Sequence, residues 1–242
     1  MIVILGAMDI EITAFLENIA EPQKHRLLRN LTIHEGKLGD AQVAIAKTGV
    51  GKTMAAISCQ RIIDFLKHSG HAPEYILFTG IAGAINPHMR IGDTLVAADC
   101  IQHDLDTTAL GIPRGTVPDT EYRFLKADAA LFEIAMSYEP DEGHVHSGRI
   151  LTGDQFIDNY HSDQHSYMIN ELRGDGVEME GASAALCAAV NGIPFLIIRT
   201  ISDNANQKAP MNFREFGPKA SYNNFKAALH IVSHVSFPNP KP

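Results

Sequence analysis

One local pattern repeats along this chain and constrains its fold more than any other feature. A short apolar run ends in glycine or another small residue, and a stretch with helical spacing follows. Residues 1–7 end in Gly6-Ala7, and Ile12, Phe15, Leu16 and Ile19 come next at helical intervals. Residues 42–47 run into Thr48-Gly49-Val50-Gly51, followed by Ala55, Cys59, Ile62 and Leu66 on one helical face. Residues 75–78 end in Thr79-Gly80-Ile81-Ala82-Gly83, residues 176–179 run directly into the small-residue stretch 181–190, and residues 194–200 precede a last helix over 213–234. Unbroken apolar runs of strand length are the signature of strands buried on both faces. The pattern predicts an α/β fold: a three-layer α/β/α arrangement with a mixed, largely parallel central sheet. Further strands are expected at 31–36, paired with 42–47 through a turn near Gly39-Asp40, and at 93–101 and 147–152. Further helices are expected at 127–137 and 162–172, and residues 104–123, without period, read as a long loop.

Composition narrows the class. A length of 242 residues allows one domain or two. The alternation has no linker, repeat or low-complexity break, so residues 1–242 are read as one domain. Against 28 Asp+Glu stand 20 Lys+Arg, a net charge of −8, and no basic block occurs. A general nucleic-acid binder needs the opposite balance. The longest apolar runs, such as 193–198, fall far short of the roughly 20 residues that cross a bilayer. Asp9 and Glu11 follow the first run with neither a basic start nor a cleavage site, so no signal peptide is expected. Cys59, Cys100 and Cys187 are odd in number, far apart and in apolar or small-residue contexts, which points to free thiols and a cytoplasmic protein.

In sheets of this kind ligands bind at the carboxyl ends of strands, so the strand–helix joints are the places to search. Gly49-Val50-Gly51-Lys52-Thr53 imitates a phosphate-binding P-loop, but the glycine required five residues before Gly51 is Ala46. It reads as a tight turn with a lysine on the first helical turn. Glu11, Glu180 and Asp203 each follow a buried strand immediately. One such acid is ordinary helix capping, but three on one rim are costly unless used. Glu178-Met179-Glu180 sets two acids around an apolar side chain, which suits either a ribose or a solvated strand end. Arg199-Thr200-Ile201-Ser202-Asp203 puts an aspartate at the mouth of the sheet. Partial burial beside other acids would raise its pKa towards that of a general acid, whereas pairing with Arg199 would lower it. His144 with His146, and His161 with His165, lack a third ligand nearby in sequence, so no metal is assigned.

Taken in order, these joints are similar to a known family. Gly6-Ala7-Met8-x-x-Glu11, Gly49-Val50-Gly51-Lys52 and Thr79-Gly80-x-Ala82-Gly83 resemble the nucleoside phosphorylase and nucleosidase superfamily. Gly92-Asp93, His103-Asp104-x-Asp106-x-Thr108-Ala109-x-Gly111, Gly153-Asp154-x-Phe156-Ile157, Val177-Glu178-Met179-Glu180 and Ile201-Ser202-Asp203 look like its 5′-methylthioadenosine/S-adenosylhomocysteine nucleosidases. The resemblance implies hydrolysis of the N-glycosidic bond of those nucleosides, with no metal or organic cofactor. It implies that Asp203 protonates adenine N7 and that Glu11, with Arg199 nearby, activates the attacking water. Glu180 would bind the ribose hydroxyls and Met179 pack on the sugar. Phe156 would stack on the purine, whose polar edge the backbone of Ile157 reads. Val50, Ile81, Ala82, Gly83, Glu178 and Ser202 complete the expected substrate-binding set. Leu110 and Pro118, on the 104–123 loop, would enter the partner subunit's pocket in a homodimer.

The chain departs from the family pattern in three places. Ile81 stands where many such nucleosidases have serine beside the water, so the water is expected to be held differently. Leu110 replaces an aromatic residue at the 5′ pocket. Asp9-Ile10-Glu11 replaces a more acidic run. Ile81 and Leu110 keep a futalosine or purine-nucleoside hydrolase open. A phosphorylase is disfavoured because Tyr75-Ile76-Leu77-Phe78 is uncharged where such enzymes carry an arginine. A catalytically inactive nucleoside-binding protein is disfavoured by the retained Glu11, Glu180 and Asp203.

Overall fold

A computed structural model describes residues 1–206 and 209–235. Pro238, Pro240 and Pro242, read from the sequence as closing the chain, lie outside the described residues. The sheet is built around β1 (Ile2–Gly6), which runs parallel to β4 (Ala41–Lys47) and to β5 (Tyr75–Ala84); β5 in turn runs parallel to β10 (Phe195–Asp203). Antiparallel strands extend one side, with β3 (Leu31–Leu38) on β4 and β2 (Ala20–Leu28) at the edge. The other side curls. β10 pairs with β6 (Thr94–Gln102), β6 with β8 (Val145–Thr152), β8 with β9 (Gly176–Glu178), and β9 returns to β5. That closes a ring of strands, with the two-residue β7 (Leu125–Lys126) outside it on β6.

Successive strand residues point to opposite faces, and here both faces are apolar. Val3, Leu5, Ile76, Phe78 and Ile197 pack with buried residues of α2 (Lys52–His68) and α5 (Gly181–Val190). Their neighbours Ile2, Ile4, Leu77, Leu196 and Ile198 pack with α1 (Asp9–Asn18), α3 (Ala129–Met136) and α6 (Ala209–His234). This is the expected three-layer arrangement around a mixed sheet. Its parallel pairs are those of β1 with β4 and β5, β5 with β10, and β8 with β6 and β9; the remaining pairs are antiparallel.

Several elements differ from expectation. β2 was not foreseen: its residues are mostly exposed and include Pro22 and Lys24, as edge strands tolerate, so no apolar alternation marks it. β5 does not stop at Phe78. Its small residues continue as strand to Ala84 because β10 pairs alongside them. The helix expected over 162–172 is a 3-10 turn, Asp163–His165, followed by the single-turn α4 (Tyr167–Asn170). Only Met168 and Leu172 of that stretch are fully buried, too few to hold a longer helix on the core. α6 starts at Ala209, four residues early, and carries Pro218 inside it. The 104–123 loop is irregular except for a 3-10 turn, Thr108–Leu110. Among the described residues no helix is long and apolar enough to cross a membrane.

Candidate active site

A cleft with about 680 Å³ of empty volume, part of it open to solvent, lies where the carboxyl ends of β1, β5 and β10 meet the ring. Glu11, Glu178, Glu180 and Asp203 line it. So do Val50, Ile81, Ala82, Gly83, Phe156, Ile157, Met179 and Ser202. Among the described lining residues there is no arginine or lysine.

Glu11 sits in the first turn of α1, and its carboxylate folds back over that helix's own start. Oε2 accepts from the amides of Ala7 at 2.7 Å and Met8 at 2.9 Å, and Oε1 from the amide of Ile81 at 3.0 Å. A reach from the third helical residue to the backbone before the helix is half of a capping box. Close approach of β5 requires Gly80, since a Cβ there would overlap Oε1 of Glu11. Burial raises the Glu11 pKa, against the opposing pull of Arg199 and of those amides.

The two acids of Glu178-Met179-Glu180 divide their work. Glu178 turns inward, where Arg199 Nη2 lies 2.5 Å away and the Gly181 amide donates to both its oxygens, at 2.9 and 2.7 Å. The Glu180 amide and the Thr152 hydroxyl also donate to it. It therefore caps α5 and neutralises a fully buried guanidinium, which also donates to the carbonyls of Phe78 and Ile198, both at 3.1 Å. Glu180 is held at one oxygen by the Gly51 amide at 2.7 Å. Burial, reinforced by the charge of Glu178, pushes its pKa up to about 8. Asp203 accepts from the Ala205 amide at 2.8 Å and the Ser202 hydroxyl at 2.9 Å. Burial raises its pKa in spite of those two donors. The Arg–Asp pair that would have lowered it does not form, because Arg199 is taken by Glu178.

The structure thus brings Glu11, Glu180 and Asp203 to one cleft, as their positions after buried strands predicted. Arg199 lies beneath the floor and is not part of the lining. Leu110 is 77 % exposed, and Pro118 is exposed too; neither lines this chain's own cleft. Phe156 is about half exposed and meets Phe213 edge to face, with ring centroids 5.8 Å apart. Sequence reasoning passed over Ala7, Met8, Gln155, Val177 and Phe213 as lining residues. Phe213 is the first residue of the last helix expected from sequence, and no motif marks it as a lining residue. Ala7, Met8 and Val177 are named positions of the family-like motifs, and Gln155 is the unspecified position before Phe156. Of the histidine pairs, His146 is paired to Asp93 at 3.0 Å, and His165 bonds Ser162 at 3.1 Å.

The P-loop-like turn also resolves. Gly51, with φ of 93°, directs its amide to Glu180, and the Lys52 amide donates to Asp154 at 2.8 Å. The positive end of α2 therefore meets carboxylates of the same chain, where a P-loop would meet phosphate.

A three-layer fold built on a mixed sheet, with carboxylates gathered at its strand ends, defines an acid-lined cleft suited to a small cationic or hydroxyl-rich ligand. A family model described as "Phosphorylase superfamily" matches residues 1–233, and the chain belongs to that superfamily. Its relatives include nucleosidases. The chain is 35% identical over 240 residues to the 5′-methylthioadenosine/S-adenosylhomocysteine nucleosidase of Exiguobacterium sp., covering 96% of this chain and 97% of the relative. It is 38% identical over 217 residues to the aminodeoxyfutalosine nucleosidase of Campylobacter jejuni, covering 89% and 90%. The crystal structure of the Neisseria meningitidis 5′-methylthioadenosine/S-adenosylhomocysteine nucleosidase with methylthio-immucillin-A superposes with a TM-score of 0.88 at 28% identity, covering 97% of this chain and 99% of the other.

Proposed function

We propose that this protein hydrolyses the N-glycosidic bond of 5′-methylthioadenosine and S-adenosylhomocysteine, releasing adenine and the 5′-thio-ribose. The observation that carries this reading is the convergence of Glu11, Glu180 and Asp203, three buried acids on elements distant in sequence, on a cleft with apolar walls. The nucleosidase relatives support it.

The chemistry follows from charge. As the C1′–N9 bond lengthens, the sugar becomes cationic and the purine accumulates the bonding electron pair. Protonated Asp203 donates to N7, so adenine leaves neutral, and the raised pKa suits a group that must hold a proton near neutrality. Glu11 orients the water whose oxygen attacks C1′ and accepts its proton. Arg199 acts from below: it pairs with Glu178 and tempers the charge at Glu11. Glu180 accepts from the ribose hydroxyls, Met179 covers the sugar face, and Phe156 stacks on the purine. Ile157, Val50, Ile81, Ala82, Gly83 and Ser202 shape the rest. No metal or organic cofactor enters this scheme. A cleft lined by carboxylates suits a cationic sugar and repels phosphate, which supports water as the nucleophile.

A second reading is favoured by the Campylobacter relative: an aminodeoxyfutalosine-type nucleoside as substrate. Leu110 in place of an aromatic residue leaves more room at the 5′ pocket, in keeping with a larger 5′ substituent. Adenine release, measured as kcat/KM for 5′-methylthioadenosine, S-adenosylhomocysteine and aminodeoxyfutalosine, decides between the two. Release from none of them would sink both.

The protein acts as a homodimer in this proposal. Arg114 ties the 104–123 loop to its own subunit by stacking on Tyr167 at 4.0 Å and pairing with Glu171 at 3.5 Å, and it braces the loop internally through Asp106 at 2.7 Å; Leu110 stays exposed. The exposure of Leu110 and Pro118 supports their reaching a partner's pocket. A cytoplasmic location fits the three free cysteines, the acidic charge disfavours a nucleic-acid partner, no membrane partner is proposed, and a role in methionine salvage is proposed from the substrate alone.

A further inference from the structure

Lys52 is the part of the P-loop-like turn that the scheme above leaves unused. Its ammonium lies 2.6 Å from Asp104 Oδ1 and 3.9 Å from Asp154 Oδ2. Two backbone bonds complete a closed set: the Lys52 amide donates to Asp154 Oδ1 at 2.8 Å, and the Asp154 amide to Asp104 Oδ2 at 2.9 Å. Partial burial works to raise the Asp104 carboxyl, but the Lys52 ammonium and the Asp154 amide outweigh it and hold it below the usual range. Three segments meet here: the start of α2, the chain just after β6, and the loop after β8.

Each side of this junction carries a piece of the cleft. Asp154 is two residues before Phe156 and three before Ile157, which form the purine wall. Lys52 follows Gly51, whose amide holds Glu180 on the sugar side. The loop is pinned a second time at Gly153, where any Cβ would overlap the ring of buried His103; that ring is fixed by the Tyr167 hydroxyl at 2.8 Å. Glu11, Asp203 and Arg199 make none of these bonds.

We propose that Lys52, through Asp104 and Asp154, is a positioning residue that sets the distance between the purine wall and the ribose-binding Glu180. The clamp acts on substrate binding, because it holds the two walls and touches none of the groups at the anomeric carbon. Its ion pairs are partly exposed, so their effect on stability is small. The inference rests on the nucleosidase reading.

The test is steady-state kinetics with 5′-methylthioadenosine, together with hydrogen exchange on the unliganded protein. Lys52→Met is expected to raise KM at least ~10-fold with kcat within ~3-fold of wild type, the pattern of lost uniform binding. Lys52→Arg, which keeps the charge, should recover most of that loss. Asp154→Asn should raise KM as well, and the double variant should be no worse than the poorer single one, since both break one unit. The amides of Asp154 and of residues 155–157 should exchange faster in Lys52→Met. A wild-type KM in Lys52→Met, a loss confined to kcat, or additive single variants would overturn the clamp. So would unchanged exchange, and that readout needs no activity. If the wild-type protein released no adenine, the functional reading would fall alone, and exchange would still decide the clamp.

Discussion

Glu11 shows how one side chain can cap its own helix and still face the cleft. Its carboxylate is held by three amides, two of them at the start of its own helix, and still lines the cleft. Glu180 and Asp203 are legible as candidate site residues, since an acid at the end of a buried strand is visible in sequence. Glu178 was legible as an acid but not as the cap of α5 and the partner of Arg199, because that pairing spans 21 residues and depends on which way a side chain turns. If Asp203 is the general acid, Asp203→Asn lowers turnover by at least ~100-fold, measured as adenine release at saturating substrate. Its protonated form is the active one and its pKa is raised. Wild-type kcat/KM therefore falls as pH rises through that pKa, and the residual activity of the variant lacks this limb. Glu180 makes a separate prediction about stability. Its folded pKa of about 8 lies above the ordinary 4.5, so the native state holds an extra proton between those values and loses stability as pH rises through that window. Glu180→Gln cannot ionise. It should melt at least ~2 °C above wild type at pH 8, with a smaller difference at pH 5, while KM rises. A melting difference independent of pH would remove the burial argument.

At the scale of elements, the joints matter more than the strands and helices they connect. Apolar runs located β1, β4 and β10 because both their faces are buried; helical spacing located α1 and α2, and a run of small residues located α5. β2 escaped because an exposed edge strand carries no apolar code. The 162–172 segment was over-read because apolar spacing alone cannot show that most of its side chains face solvent. The extension of β5 through Thr79-Gly80-Ile81 has the largest functional consequence: it carries the Ile81 amide to Glu11 and leaves no space for a side chain at position 80. Gly80→Ala should displace the Glu11 carboxylate while both cores stay packed. Activity is expected to fall ~100-fold, the scale of an ångström-level misplacement, with cooperative melting retained by circular dichroism. Near-normal turnover would show that Glu11 does not need this seat.

For the whole molecule, the sandwich of two cores was readable from alternating apolar strands, but the ring closing β10, β6, β8, β9 and β5 was not. Its pairings join strands far apart in sequence, and no local pattern encodes them. That closure gathers the carboxyl ends of β5 and β10 beside β9, and so brings Glu180 towards Asp203. The exposed tip of the 104–123 loop belongs to this scale too. Leu110→Glu should leave the circular-dichroism spectrum of the subunit unchanged, shift sedimentation from dimer towards monomer and raise KM. A monomeric wild-type protein would remove the shared-pocket proposal. The central claim, hydrolysis in an acidic nucleoside cleft, is tested most directly by adenine release from 5′-methylthioadenosine in phosphate-free buffer. Release at a rate unchanged by added phosphate, with the free thio-sugar as co-product, is the expected result. No release, or release that requires phosphate and yields a sugar phosphate, would contradict it.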